Sequence, residues 1–174
     1  MPKFCANLST LFTDAPFPAR FARAAAAGFT AVEFQSPYAH ETREVAGLLR
    51  EHGLTCVMFN LPSGKPGEKG LAPLSGRQAD FRDSHANIGI QMDFYHTHMT
   101  EGRLSERFLE NLPRIRHVQI SNAPGRHEPD AGEIDYTPIF KTIDSAGYVG
   151  WVGCEYTPRG RTEDGLGWMR GLAA

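Results

Sequence analysis

The chain has 174 residues, a formal net charge of -2, 41% hydrophobic and 22% charged residues, the proportions of one ordinary globular domain. That balance offers no basic patch of the kind nucleic acid or an anionic membrane surface requires, so a small-molecule partner is expected. No run approaches the ~18 apolar residues of a membrane span, and the opening MPKFCANLST has no apolar stretch of signal-peptide length, which predicts a cytoplasmic protein.

Lys3 to Leu8 reads as a short strand, followed by turn prolines and an alanine-rich helix that stops at Gly28. Thr30 to Phe34 is a second strand ending near Glu33, and ETREVAGLLREHG is a helix with Val45, Leu48 and Leu49 on one side and Gly53 closing it. Leu54 to Leu61 is nearly all apolar, the pattern of a strand buried on both faces. A loop rich in Gly and Pro follows, PSGKPGEKGLAPLSG, with no helix directly after it, so it reads as surface loop rather than phosphate cradle. GRQADFRDS opens like a helix but gives way at once to a strand from Ile88 to Phe94. Beyond it come a helix near Leu104 to Asn111, a strand from His117 to Ile120, a helix near Thr137 to Ala146, a strand from Trp151 to Tyr156 and a last helix around Thr162 to Leu172.

Strands alternating with helices, without hairpin signals, predict a parallel α/β fold. No strand is followed by a GxGxxG or GxxxxGK[ST] fingerprint, which argues against a doubly wound nucleotide-binding sheet and for a (β/α) barrel-like one. The three cysteines, Cys5, Cys56 and Cys154, are odd in number and lie in or beside apolar runs, so they read as reduced core thiols.

Polar groups gather where strands end: Glu33, Asp93 with His96, Gln119 with Arg126 and His127, and Glu155. Parallel strands bring such groups to one rim, and carboxylates with amide oxygens there suit Mg²⁺ or Mn²⁺. Each has a plainer reading: Asp93 as the cap of the next turn, Glu155 as the partner of Arg159. Of His96 and His98, one at most is expected to face the site, and His96, three residues after Asp93, is preferred. His117, opening a strand, reads as a structural or surface group.

The segments FCANLSTLF, GFTAVEFQSPY, VMFNLPSG, QMDFYHTHMTEG, HVQISNAPGRHEPDAGEIDY and GYVGWVGCEYTP resemble, in register from end to end, the hydroxypyruvate isomerases of the xylose-isomerase-like TIM-barrel superfamily. The resemblance implies an aldose-ketose type isomerisation of hydroxypyruvate with one divalent ion, Mg²⁺ or Mn²⁺. It makes Glu155 a catalytic glutamate and metal ligand, Asp93 and Gln119 further metal ligands, and His96 and Arg126 substrate-facing groups.

One domain over the 174 residues is expected, and it falls about 75 residues, or roughly two βα units, short of a ~250-residue barrel of eight. About six strands are expected, with the missing segment at a junction near residues 82–87. The family's second catalytic glutamate, followed by Pro-Ile-Asn, belongs to that segment and has no counterpart here. Two readings therefore stand side by side: an active isomerase, and a shortened relative that binds a divalent metal or a small hydroxy or keto acid without turnover. A DNA-repair nuclease ranks below both, because the chain has too few site histidines for a multi-zinc cluster. Open sheet edges would also offer backbone groups to a second copy, so three outcomes stand open: a rearranged six-strand sheet, a homo-oligomer, or no stable closure.

Overall fold

The computed structural model describes residues 1–60 and 89–171. The glycine-rich loop, the GRQADFRDS helix opening and the junction near 82–87 lie outside them.

Six strands are found among the described residues: β1 (Lys3–Asn7), β2 (Ala31–Phe34), β3 (Thr55–Phe59), β4 (Ile90–Asp93), β5 (Ile115–Ile120) and β6 (Trp151–Cys154). All pair in parallel, in the order β3-β2-β1-β6-β5-β4. Apart from β3 and β4, neighbours in sequence are neighbours in the sheet, and the first strand adjoins the last. Among the described residues this is the cyclic succession of a (β/α) barrel in which β3 and β4 do not pair with each other, so they form an incomplete six-strand TIM barrel.

The helices follow from local signals. The first, α1 (Phe17–Ala26), has a proline in its opening turn and gives way to Gly28 at φ 93°. The next, α2 (Thr42–Glu51), is followed by Gly53 at φ 64°. Both glycines hold the left-handed conformation that other residues adopt only with strain. Three more helices follow, α3 (Phe94–Thr100), α4 (Leu104–Asn111) and α5 (Tyr136–Ser145). The expected last helix is a 3-10 turn, Thr162–Gly165, and a short α6 (Gly167–Gly171).

Period-two alternation divides each strand between two environments. Phe4, Val32, Val118 and Val152 belong to the apolar core, which includes Phe21, Phe108, Phe140 and Trp168 from the helices and the chain between them. The rings of Phe140 and Trp168 meet Phe4 edge-on at centroid distances of 5.4 and 5.1 Å. The intervening positions carry Cys5, Asn7, Glu33, His117, Gln119 and Gly153, the polar interior of the barrel.

Two strand expectations are corrected. The third strand is not buried on both faces: it is an edge with β2 as its partner, its middle residues are half-buried and Phe59 is 50% exposed. The fourth strand ends at Asp93, and Phe94 already opens α3, because Asp93 caps that helix. Its Oδ1 accepts from the backbone N–H of Tyr95 at 2.8 Å and, more weakly, of His96 at 3.4 Å. No helix among the described residues is long and apolar enough to cross a membrane.

Candidate functional site

Parallel pairing places the ends of β4, β5 and β6 at one edge, with Asp93 opposite Gln119 and Gln119 opposite Gly153. Two residues beyond Gly153 comes Glu155. Here a cavity of about 630 Å³ opens, lined among others by Gln35, Asp93, His96, Gln119, Arg126 and Glu155. Of the strand-end groups read from the sequence, Asp93, His96, Gln119, Arg126 and Glu155 line this one space, while Glu33 and His127 do not.

Arg126 ties them together. Its Nη2 donates to Glu155 Oε2 at 2.9 Å and to Asp93 Oδ2 at 3.2 Å, and its guanidinium lies over the Tyr95 ring, 4.9 Å from the centroid. Arg126 has φ 55°, a conformation a non-glycine residue keeps only where its surroundings hold it. The holding bonds are visible: Thr157 N–H donates to Arg126 O at 2.7 Å, and Asn122 N–H to His127 O at 2.9 Å. His127 Nδ1 lies 2.8 Å from Thr157 O, so this histidine anchors the loop.

The other oxygen of Glu155, Oε1, accepts from Gln35 Nε2 at 2.8 Å. Burial raises the Glu155 carboxyl above its ordinary pKa, outweighing the Gln35 hydrogen bond and the Arg126 charge. Burial likewise raises Asp93, against His96 and Arg126. His96 Nε2 is 3.5 Å from Asp93 Oδ2, with its side chain 65% exposed at the cavity mouth. His98 meets Glu133 instead, at 3.1 Å. His96 lines the cavity and His98 does not, and both stand on a helix, not a strand. Asp93 is a cap through one oxygen and a cavity residue through the other. The partner of Arg159 is Glu128, at 2.9 Å, with Asp130 beside it, and not Glu155.

Behind Gln119 lies a second group that the sequence reading treated only in part. Glu33 is fully buried. Its Oε1 accepts from Asn7 Nδ2 at 2.8 Å and Gln119 Nε2 at 2.7 Å, while Oε2 stands 2.5 Å from His117 Nε2 and 3.4 Å from Cys5 Sγ. His117 is therefore buried rather than a surface group, and its i,i+2 spacing to Gln119 is the signal that puts both on the inner face. Gln91, which lies inside β4 and donates to Gln119 Oε1, had no signal, and Gln35 had none beyond lying just past β2.

Two donor sets bear on a metal ion. Cys5, Glu33 and His117 bring one ligand atom each within 4.8 Å of one another, a cluster capable of coordinating a metal. Its sulfur and nitrogen suit zinc better than Mg²⁺ or Mn²⁺, and burial followed by the Glu33 charge pushes the Cys5 thiol well up, away from the thiolate a metal needs. The rim set, Asp93, Gln119 and Glu155, offers only oxygens and opens on the cavity, which fits a hard divalent ion.

A family model described as a xylose isomerase-like TIM barrel matches residues 76–172, more than half of the chain. The chain belongs to the xylose isomerase-like TIM-barrel family. Among curated relatives, the 2-oxo-tetronate isomerase of Pectobacterium atrosepticum is 35% identical over 97% of each chain. The hydroxypyruvate isomerase of Escherichia coli is 31% identical over 97% of this chain and 98% of its own. A solved structure titled as an AP endonuclease, family 2, from Brucella melitensis is 32% identical, with a TM-score of 0.93 over 98% of this chain and 99% of its own. Relatives named for two different isomerisations and for a nuclease thus resemble this one chain.

Proposed function

We propose that the chain is a metal-dependent isomerase that interconverts hydroxypyruvate and 2-hydroxy-3-oxopropanoate. The observation that carries this reading is the meeting of Asp93, Gln119, Glu155 and Arg126 at one cavity. Asp93, Gln119 and Glu155 would hold a divalent ion, which would supply Lewis-acid polarisation of the substrate's adjacent carbonyl and hydroxyl oxygens. The Arg126 guanidinium carries N–H donors in a planar fork, the shape that holds a carboxylate bidentately. His96, at the mouth, donates to a substrate oxygen. Glu155 takes a proton from one carbon and returns it to the next. Burial has raised its pKa, which brings base and conjugate acid closer in population near neutral pH.

The names of the relatives support a second substrate on the same site: the four-carbon 2-oxo-tetronate differs from hydroxypyruvate in length, not in the 2-oxo acid that these residues engage. The test is turnover of each acid with Mg²⁺ or Mn²⁺, in the protein and in Glu155→Gln. Turnover of hydroxypyruvate that Glu155→Gln removes supports the proposal, and preference for the four-carbon acid moves it to that substrate. If neither acid turns over while calorimetry shows Mn²⁺ binding that Glu155→Gln abolishes, the protein is a binding relative and the isomerase reading falls.

A further inference from the structure

A glutamine is a metal ligand through its carbonyl oxygen alone. Its amide has two ends of nearly equal size, one that a cation attracts and one that it repels. At the rim, the only neutral member of the proposed donor set is Gln119, so whatever fixes its orientation decides whether the third ligand exists.

Glu33 is placed to do this. Gln119 is 1% exposed and Glu33 0%, so neither has solvent to fall back on. Glu33 Oε1 already accepts from Asn7 Nδ2 at 2.8 Å, and an oxygen that accepts there can take only another donor from Gln119, which it does at 2.7 Å from Nε2. The reversed amide would set Gln119 Oε1 against a carboxylate oxygen at the same distance. Anchoring Nε2 inward leaves Oε1 for the cavity side, where Gln91 donates to it. His117, at 2.5 Å, and Cys5 engage Oε2 and hold the carboxylate plane in place.

We infer that Glu33 is a positioning residue that fixes the amide of Gln119 with its oxygen toward the cavity, making Gln119 an oxygen donor for the divalent ion. The inference rests on the rim being the metal site. Glu33 acts through Gln119 and touches neither substrate nor ion.

The test is a double-variant cycle read by Mn²⁺ affinity in calorimetry and electron paramagnetic resonance, with folding followed by thermal melts. Glu33→Leu removes the acceptor and frees the amide to rotate, and Mn²⁺ binding weakens by about 10- to 100-fold, the usual effect of losing such a partner. In the Gln119→Glu background no amide remains to orient, and the same change removes a like charge beside the new carboxylate. There Glu33→Leu leaves Mn²⁺ binding unchanged or strengthens it. An equal weakening in both backgrounds is a general structural effect and overturns the inference.

If Glu33→Leu does not fold, the unsubstituted protein answers by itself. The side-chain NH₂ resonance assigned to Gln119 by its loss in Gln119→Glu exchanges slowly with deuterium and stays protected when Mg²⁺ is added; rapid exchange overturns the inference. The rim reading is tested separately. If Asp93→Asn and Glu155→Gln leave Mn²⁺ binding intact, the rim is not the metal site and the inference falls with it. If they abolish binding while the cycle shows no coupling, the inference alone fails.

Discussion

Gly153 lacks a side chain where Glu33 needs the room: a Cβ at that position would collide with the Glu33 carboxylate, reaching 2.5 Å from Oε1. The buried carboxylate is held by four groups and cannot retreat as a surface side chain would. Gly153→Ala is therefore expected to destabilise the protein by about 1–3 kcal/mol. At this chain length each kcal/mol lowers Tm by about 2–4 °C, which a melting curve resolves.

Arg126 should compete with the ion. Its Nη2 spans Asp93 and Glu155, two of the proposed ligands, and a cation that takes those oxygens must displace it. Arg126→Gln is expected to bind Mn²⁺ about 10-fold more tightly, equivalent to ~1.4 kcal/mol, while KM for hydroxypyruvate rises by at least that factor. Metal titration and steady-state kinetics separate the two effects. Weaker Mn²⁺ binding in the variant would count against the competition.

Stability should depend on pH with opposite signs at two glutamates. Burial raises Glu155, so its ionised form is disfavoured in the fold. That penalty is complete above the raised folded pKa and vanishes below the unfolded value of about 4.3. In metal-free buffer Glu155→Gln should accordingly melt higher than the parent at neutral pH and alike in acid, a trade of stability against function.

Glu128 shows the reverse. It is 2% exposed; burial alone would raise it, but hydrogen bonds from backbone N–H groups and the Arg159 guanidinium bring it below the ordinary range. Its contribution is present above about pH 4.3 and is lost as pH falls through the lowered folded pKa. Glu128→Gln should lower Tm at neutral pH by an amount worth roughly 1–3 kcal/mol, with the difference closing in acid. Because Arg159 and Glu128 fasten the loop of Arg126 to the segment after β6, substrate affinity should fall as well.

Strand ends were legible because the polar residue that follows an apolar run is written in the chain itself: Asp93, Gln119 and Glu155 each sit there. The α3 helix was not. Phe94 to His98, Phe-Tyr-His-Thr-His, shows no apolar spacing of helical period, and the Asp93 cap that starts the helix reads equally as the cap of a turn. Leu54 to Leu61 misled for a related reason. A continuous apolar run signals burial, but a strand's exposure also depends on its neighbours, and β3 lies at the sheet edge. The Glu33 network was half visible: His117 and Gln119 share a face by spacing, yet nothing local says that Glu33, 84 residues from His117, closes on them.

One guanidinium between two carboxylates leaves this corner of the rim a single negative charge in excess. A divalent cation turns that deficit into a single positive charge, and a monoanionic acid then brings the sum to zero. On the proposed function the bare rim would repel the acid and the loaded rim attract it, so the metal would bind first and the substrate second.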